Sequence, residues 1–145
     1  MQKNSDRSKV LNELFRVSKM GMEASEIVLT RTHEKELSNR IKRQDEGYIN
    51  LMEKARALLE TSSEQPAGVS KRLQNMLRGA VKANTFFRHD PQHIAELMVR
   101  GSTMGIVNIT KTMNHTPDCD PKVRKMAEDY INAEKCGIDK MKAFL

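Results

Sequence analysis

Large aromatic side chains are scarce in this chain: it has no tryptophan, and aromatic residues make up 4% of its 145 residues. Ten methionines and the aliphatic residues must therefore fill most of the interior. A chain of this length buries about 68 to 70% of the surface that its unfolded form exposes. We therefore expect one domain, residues 1–145, with a substantial core, and the composition favours a bundle of helices.

Cysteine and long apolar runs are also scarce. Cys119 and Cys136 are the only cysteines and lack CxxC spacing, which suits a reducing compartment. We expect Cys136 to be a small packing residue near the core face of the last helix. No apolar run approaches the roughly 20 residues that cross a bilayer, and no apolar block follows the basic residues near the N-terminus. These features predict a cytoplasmic protein without a membrane partner.

The sequence has no convincing stretch in which apolar and polar residues alternate one by one, the pattern typical of a β-strand. Apolar residues recur instead at three- and four-residue steps through most of the chain. The spacing predicts helices over about 6–32, 37–60, 69–87, 92–113 and from 121 onward. Asp90 and Asp120 are each followed by proline, which is typical of a helix N-cap and first helical position.

The predicted fold is all-α: a four-helix bundle with an additional helix or kinked segment in the crossover between the second and third bundle helices. The segment 69–87 could belong to the bundle or cross over it. The crossover is favoured because the helix predicted over 92–113 already has the length and apolar seam of a fourth bundle member.

Small and polar residues interrupt the apolar seams near the middle of the helices. Inside a helix, glycine lowers stability by about 1 kcal/mol relative to alanine, so glycines in the seams require a structural or functional explanation. One interpretation is close helix packing around a satisfied polar layer; the other is a ligand pocket in the space that the glycines leave. The polar residues are Ser18, Ser25, Gln44, Asn108 and Glu134, and the glycines are Gly21, Gly47, Gly101, Gly105 and Gly137.

Three stretches carry a resemblance to a known class: SKMGMEAS at 18–25, HIAELMVRGSTMGIVNITKTMN at 93–114 and KMKAFL at 140–145. Over most of residues 9–145 the chain resembles a group of uncharacterised bacterial proteins of the ferritin-like four-helix-bundle class. Active ferritin-like proteins bind two metal ions through carboxylates and two Glu-x-x-His pairs.

No glutamate in this chain has a histidine three residues later, so the Glu-x-x-His pair is absent from the sequence. At that distance, Ile49 follows Glu46 and Gly137 follows Glu134. If Gln44, Gly47, Glu134 and Gly137 stand at the ligand positions, only Glu134 keeps a ligating carboxylate. Glu23 and Glu46 could add carboxylates, but their spacing from the seam residues places them nearer the flank. We therefore expect neither a di-metal site nor any other cofactor.

Two weaker sites remain open. Asp90, His93 and Glu96 could form a surface zinc or nickel site, but helix capping by Asp90 and a solvated His93 are favoured. Residues 66–88 contain no acid, and Lys71, Arg78 and Lys82 share one helical face that could contact an anion. A solvated bundle face is the favoured interpretation of that basic stripe.

The expected function is non-enzymatic, a structural or protein-interaction role with self-association into a symmetric dimer. The surface expected to pair consists of Met20, Met22, Ile27, Ile106 and Val107. The first alternative is a small molecule or an unconventional metal held near Gln44, Asn108 and Glu134. The second, less favoured, is nucleic-acid binding through the basic stripe of residues 71–88, with Phe86 and Phe87 stacking on bases.

Overall fold

The computed structural model describes residues 2–61 and 71–145, and over these ranges the regular structure is entirely helical. The α-helices are α1 (Gln2–Leu29), α2 (Lys35–Glu60), α3 (Lys71–Phe87), α4 (Pro91–Asn114) and α5 (Pro121–Met141), followed by a 3-10 turn at Lys142–Phe144. This confirms the all-α prediction. None of the described helices has both the length and the hydropathy that crossing a membrane requires.

Local capping interactions set where the helices begin. Asp90 accepts a hydrogen bond from the backbone N–H of His93, and Asp120 accepts one from that of Val123, at 3.2 and 3.0 Å. The two Asp-Pro start signals are therefore confirmed. Helix α2 begins after Glu34, whose carboxylate accepts from the backbone N–H of Leu37 at 2.6 Å.

Helix α1 differs from its predicted range at both ends, since it begins at Gln2 and ends at Leu29. Its early end has a local cause. The hydroxyl of Thr30 donates to the carbonyl of Ile27 at 2.6 Å, and that of Thr32 donates to the carbonyl of Val28 at 2.8 Å. Threonine side chains that bond to the backbone in this way compete with the regular helical pattern.

Four of the helices contact one another in a closed cycle, in which α1 packs against α2 and α4, and α5 packs against α4 and α2. The contact between α2 and α5 is the slightest of the four and leaves a groove. Helix α3 packs mainly against α1, where the side-chain amide of Gln74 donates to the buried carboxylate of Glu23. Helix α3 lies outside the cycle formed by the other four helices.

The core consists of two apolar clusters at different heights along the helices. The first is built around Leu11, Leu14, Leu59, Ile109 and Val123 and includes Tyr48 and Tyr130; the second is built around Val28, Leu37, Ile41, Ile94 and Met141. On α2, Gln44 lies between Ile41 and Tyr48. On α5, Glu134 lies between Tyr130 and Met141. The mid-helix polar residues therefore separate the two clusters.

Candidate ligand-binding site

Four polar side chains from three helices form a connected cluster between the apolar clusters. The side-chain amide of Gln44 donates to the Tyr48 hydroxyl at 2.7 Å and contacts the Ser102 hydroxyl at 3.0 Å. The Tyr48 hydroxyl donates to Glu134 Oε2 at 2.9 Å. These contacts join α2, α4 and α5, and they satisfy groups that would be costly to bury alone.

Glu134 is the ionisable centre of this cluster and is only 3% exposed. Burial raises the pKa of its carboxyl group above the usual range, while hydrogen bonds from Ser102 and Tyr48 act in the opposite direction. Burial also raises the pKa of the Tyr48 hydroxyl, and the neighbouring Glu134 carboxylate adds to that shift. Tyr48 therefore stays protonated at neutral pH and remains a donor to Glu134.

Two of the seam glycines make room for tyrosines from the next helix. A Cβ atom built on Gly21 would lie 2.8 Å from ring carbons of Tyr48, closer than packed side chains allow. A Cβ atom on Gly105 would overlap the hydroxyl of Tyr130. These glycines in α1 and α4 therefore offset their cost in helix propensity by admitting a large side chain.

The groove between α2 and α5 has a volume of about 420 Å³. Because Gln44 lies beside Gly137 and Tyr48 beside Glu134, the two helices run antiparallel. The groove therefore changes in character along its length. Cations line one end, the polar cluster lines the middle, and apolar side chains line the other end. In that order the residues are Arg40, Arg43 and Lys140, then Gln44, Tyr48 and Glu134, then Leu51, Met126 and Tyr130. The exposed residues Lys54 and Asp129 also line this last end.

A second, smaller cleft of about 180 Å³ lies on the opposite side of the two tyrosines, between α1, α3 and α4. Methionine and leucine side chains are prominent in its walls, and Gly101, Gly105 and Asn108 lie along its α4 side. Ser25 lines it from α1; its side chain is fully buried, and its hydroxyl has no hydrogen-bond partner among the described residues. Tyr48 and Tyr130 line both the groove and the cleft.

The structure thus divides the residues that the sequence suggested as one ligand pocket. Gln44 and Glu134 line the groove, whereas Asn108 lines the cleft. Ser18 lines neither, because its hydroxyl donates to the carbonyl of Leu14 in its own helix at 2.6 Å. The division arises because the two tyrosine rings fill the space between these positions.

The other three seam glycines divide into two kinds. Gly137 is in ordinary contact with the Gln44 side chain, at 3.5 Å from a Cβ position. Around Gly47 and Gly101, no described atom beyond the adjacent residues and backbone of the same helix lies within 4 Å of that position. The close-packing interpretation is therefore wrong for Gly47 and Gly101 within the described chain, because their positions open onto the groove and the cleft.

Sequence reasoning did not select Ser102, Tyr48 and Tyr130 as site residues. A repeated pattern could have done so. Ser-Lys-Met-Gly at 18–21 in α1 and Ser-Thr-Met-Gly at 102–105 in α4 share Ser-x-Met-Gly, and each is followed by a tyrosine, 27 and 25 residues after its glycine. The structure places each tyrosine on the corresponding glycine.

No three His, Cys, Asp or Glu side chains come together as a metal site anywhere in residues 2–61 and 71–145. Glu23 is not on an open flank, because α3 covers it. His93 is buried rather than solvated, since its Nε2 lies 3.1 Å from the carbonyl oxygen of Asn84. Cys136 is exposed and lines the groove, so the prediction that it packs near the core is wrong.

The basic stripe of α3 lies beside acidic residues of α1. Lys71, Arg78 and Lys82 are all exposed. Arg78 and Lys82 border a depression that also contains Glu23 and Glu26. These carboxylates weaken the attraction of this face for phosphate groups. The side chains of Phe86 and Phe87 lie outside the described part of the structure, so stacking on bases stays a prediction.

The apolar surface expected to form a dimer is largely covered. Ile27 is buried against its neighbours, Met20, Met22 and Ile106 are half-buried, and Val107 is 40% exposed. Burial of Ile27 contradicts its expected place on a free surface. Self-association itself stays a prediction.

Comparisons of the chain with protein-family models, with curated proteins and with solved structures found no match.

Proposed function

We propose that this protein binds an amphiphilic organic anion, a carboxylate or phosphate attached to an apolar chain, in the groove between α2 and α5. The observation that carries the proposal is the order of side chains along the groove: three cations, then hydrogen-bonding groups, then apolar side chains with Lys54 and Asp129 beside them. A few polar groups converging on a largely apolar concavity are typical of small-molecule sites.

The cationic end would hold the anionic head group. Arg40, Arg43 and Lys140 line the same end of the groove, and none of them forms an ion pair with a described carboxylate. Arginine presents several N–H donors in a planar arrangement that matches carboxylate and phosphate oxygens. An anion at this end would therefore gain charge-assisted hydrogen bonds without displacing an ion pair already present.

The middle of the groove would select a ligand that carries a hydrogen-bond donor. Gln44 uses its amide nitrogen within the cluster, whereas its side-chain oxygen makes no hydrogen bond to a described residue. That oxygen lies beside Gly137, where the absence of a side chain keeps it accessible. A hydroxyl or amide N–H on the ligand would bond there, beside the buried carboxyl group of Glu134.

The apolar end would hold the rest of the ligand. Leu51 is half-buried and borders the groove together with the largely buried side chains of Met126 and Tyr130. Each CH2 group buried there contributes up to about 0.8 kcal/mol. This contribution favours a chain of several carbons over a small inorganic anion.

We further propose that the arrangement is ferritin-like, with its metal centre replaced by the hydrogen-bonded cluster. The closed cycle of contacts among α1, α2, α5 and α4 supports this, as does the position of α3 outside it. Glu134 shares its cluster with Gln44, Tyr48 and Ser102 instead of further carboxylates. In this proposal the role is binding, without a chemical step.

Calorimetric titration of the full chain with octanoate, octan-1-ol and octylamine tests the proposal. We expect octanoate to bind at least tenfold more tightly than octan-1-ol, and octylamine to bind more weakly still. Octanoate should also slow the reaction of Cys136 with a thiol reagent, because Cys136 lines the groove. Cys119 is the internal control: it lies in the first apolar cluster, and burial raises the pKa of its thiol.

Two pairs of variants locate the site. Gly47→Leu fills the groove from an open position and should abolish octanoate binding, whereas Gly79→Leu makes the same change on α3 and should not. Arg43→Ala should weaken octanoate binding several-fold, whereas Lys42→Ala, outside the groove, should leave it unchanged. Equal binding of the three octyl compounds, or equal effects within each pair, would overturn the proposal.

A further inference from the structure

The cleft between α1, α3 and α4 differs from the groove in its charge. None of the described residues that line it carries a charge. The cleft is bordered by long apolar side chains, among them Leu97, Met98 and Met104, and it opens where Gly101 leaves free space. This environment disfavours an ion, because no countercharge compensates for its loss of hydration.

Three polar groups in this cleft lack partners. The hydroxyl of Ser25 is buried and unpaired. The hydroxyl of Tyr130 makes no hydrogen bond to a described residue, although Tyr130 is only 6% exposed. The side-chain amide of Asn108, half-buried at the same cleft, also lacks a described partner. Buried polar groups in folded proteins nearly always have partners, so the unpaired and fully buried hydroxyl of Ser25 at this cleft indicates that something else bonds to it.

From these observations we infer a second binding site, independent of the proposed function, that takes a small uncharged ring compound bearing a hydroxyl group. The volume of about 180 Å³ supports the size, since an apolar cavity of roughly 150 Å³ accepts benzene. A hydroxyl both donates and accepts, so such a group can bond to the hydroxyl of Ser25 or to that of Tyr130, which line the same cleft. Hydrophobic contact with the leucine and methionine side chains would hold the ring.

The test measures the binding of 4-fluorophenol to the full chain by fluorine NMR. The methyl analogue 4-fluorotoluene lacks the hydroxyl, and 4-fluorobenzoate carries a charge. We expect saturable binding of 4-fluorophenol, binding of 4-fluorotoluene at least fivefold weaker, and no binding of 4-fluorobenzoate. Octanoate should not displace 4-fluorophenol, because the two tyrosines separate the cleft from the groove.

The variants are chosen so that loss of folding is not mistaken for loss of binding. Gly101→Leu blocks the cleft from an open position and should abolish binding, while Gly79→Leu should not change it. Ser25→Ala and Tyr130→Phe retain the apolar walls. Each should weaken the binding of 4-fluorophenol at least threefold and leave the binding of 4-fluorotoluene unchanged. Equal affinity for the two fluorinated probes, insensitivity to Gly101→Leu, or loss of binding in Gly47→Leu would overturn the inference.

Discussion

The hydroxyl group of Tyr130 occupies the space in which Gly105 would carry a side chain. Gly105 is buried in α4, and Tyr130 reaches it from α5. We therefore expect Gly105→Ala to destabilise the protein by about 1 to 3 kcal/mol, because overpacking outweighs the gain in helix propensity. Urea unfolding followed by circular dichroism measures the change.

Gly101 lies one turn earlier in the same helix and provides the matched control. No described atom lies within 4 Å of its Cβ position, so Gly101→Ala should stabilise the protein by up to about 1 kcal/mol. Tyr130→Phe removes the overlapping oxygen, so it should reduce the cost of Gly105→Ala when the two changes are combined. If Gly105→Ala and Gly101→Ala both stabilise or both destabilise the protein, the contact with Tyr130 does not explain why residue 105 is glycine.

Asp45 makes stability depend on pH. Burial raises the pKa of its carboxyl group from 3.8 to about 6, and the negative charges of Glu26 and Glu46 add to this shift. The unfolded chain releases this proton near pH 4, whereas the folded protein retains it until about pH 6. Asp45 therefore lowers stability as the pH rises through this window, and the penalty is complete above it.

Asp45→Asn should remove that penalty. After allowance for solvent screening of a partly exposed group, we expect a gain of about 1 kcal/mol at pH 8 and almost none at pH 4. The measurement is the free energy of unfolding at both values. Glu128→Gln, at an exposed position of α5, is the control. A gain from Asp45→Asn that is equal at pH 4 and pH 8 would refute the assignment.

The two Asp-Pro helix starts should differ in strength. Asp120 caps α5 and also forms an ion pair with Arg7 at 3.2 Å, which ties α1 to this turn. Asp90 caps α4 at an exposed site, with Arg88 at 3.9 Å. Loss of a cap costs about 1 kcal/mol, and loss of the part-buried ion pair adds to it, so Asp120→Ala should cost about 1 to 2 kcal/mol.

Asp90→Ala should cost less than Asp120→Ala, because it removes a more exposed cap with a weaker ionic contact. Thermal unfolding of the two variants under identical conditions gives the comparison. The interpretation fails if Asp90→Ala lowers the melting temperature as much as Asp120→Ala does.

Much of the local structure follows from residue order alone. The three- and four-residue spacing predicted five helical segments, and Asp90 and Asp120 marked two helix starts correctly. These features depend on interactions within a few residues, such as capping and the turn of the helix, so the sequence contains their causes directly. The end of α1 was predicted too late, because the two threonine hydroxyls compete for its last carbonyls.

The site depended on the tertiary structure. Residue order placed Gln44, Asn108 and Glu134 at mid-helix, which made a single pocket plausible. In the folded protein, the orientation and spacing of the helices place Tyr48 against Gly21 and Tyr130 against Gly105. The two rings divide the space between the helices into the groove and the cleft. Exposure of Cys136 and burial of His93 have the same origin. Sequence determined which residues each helix could present, while the packing of one helix against another decided which of them meet.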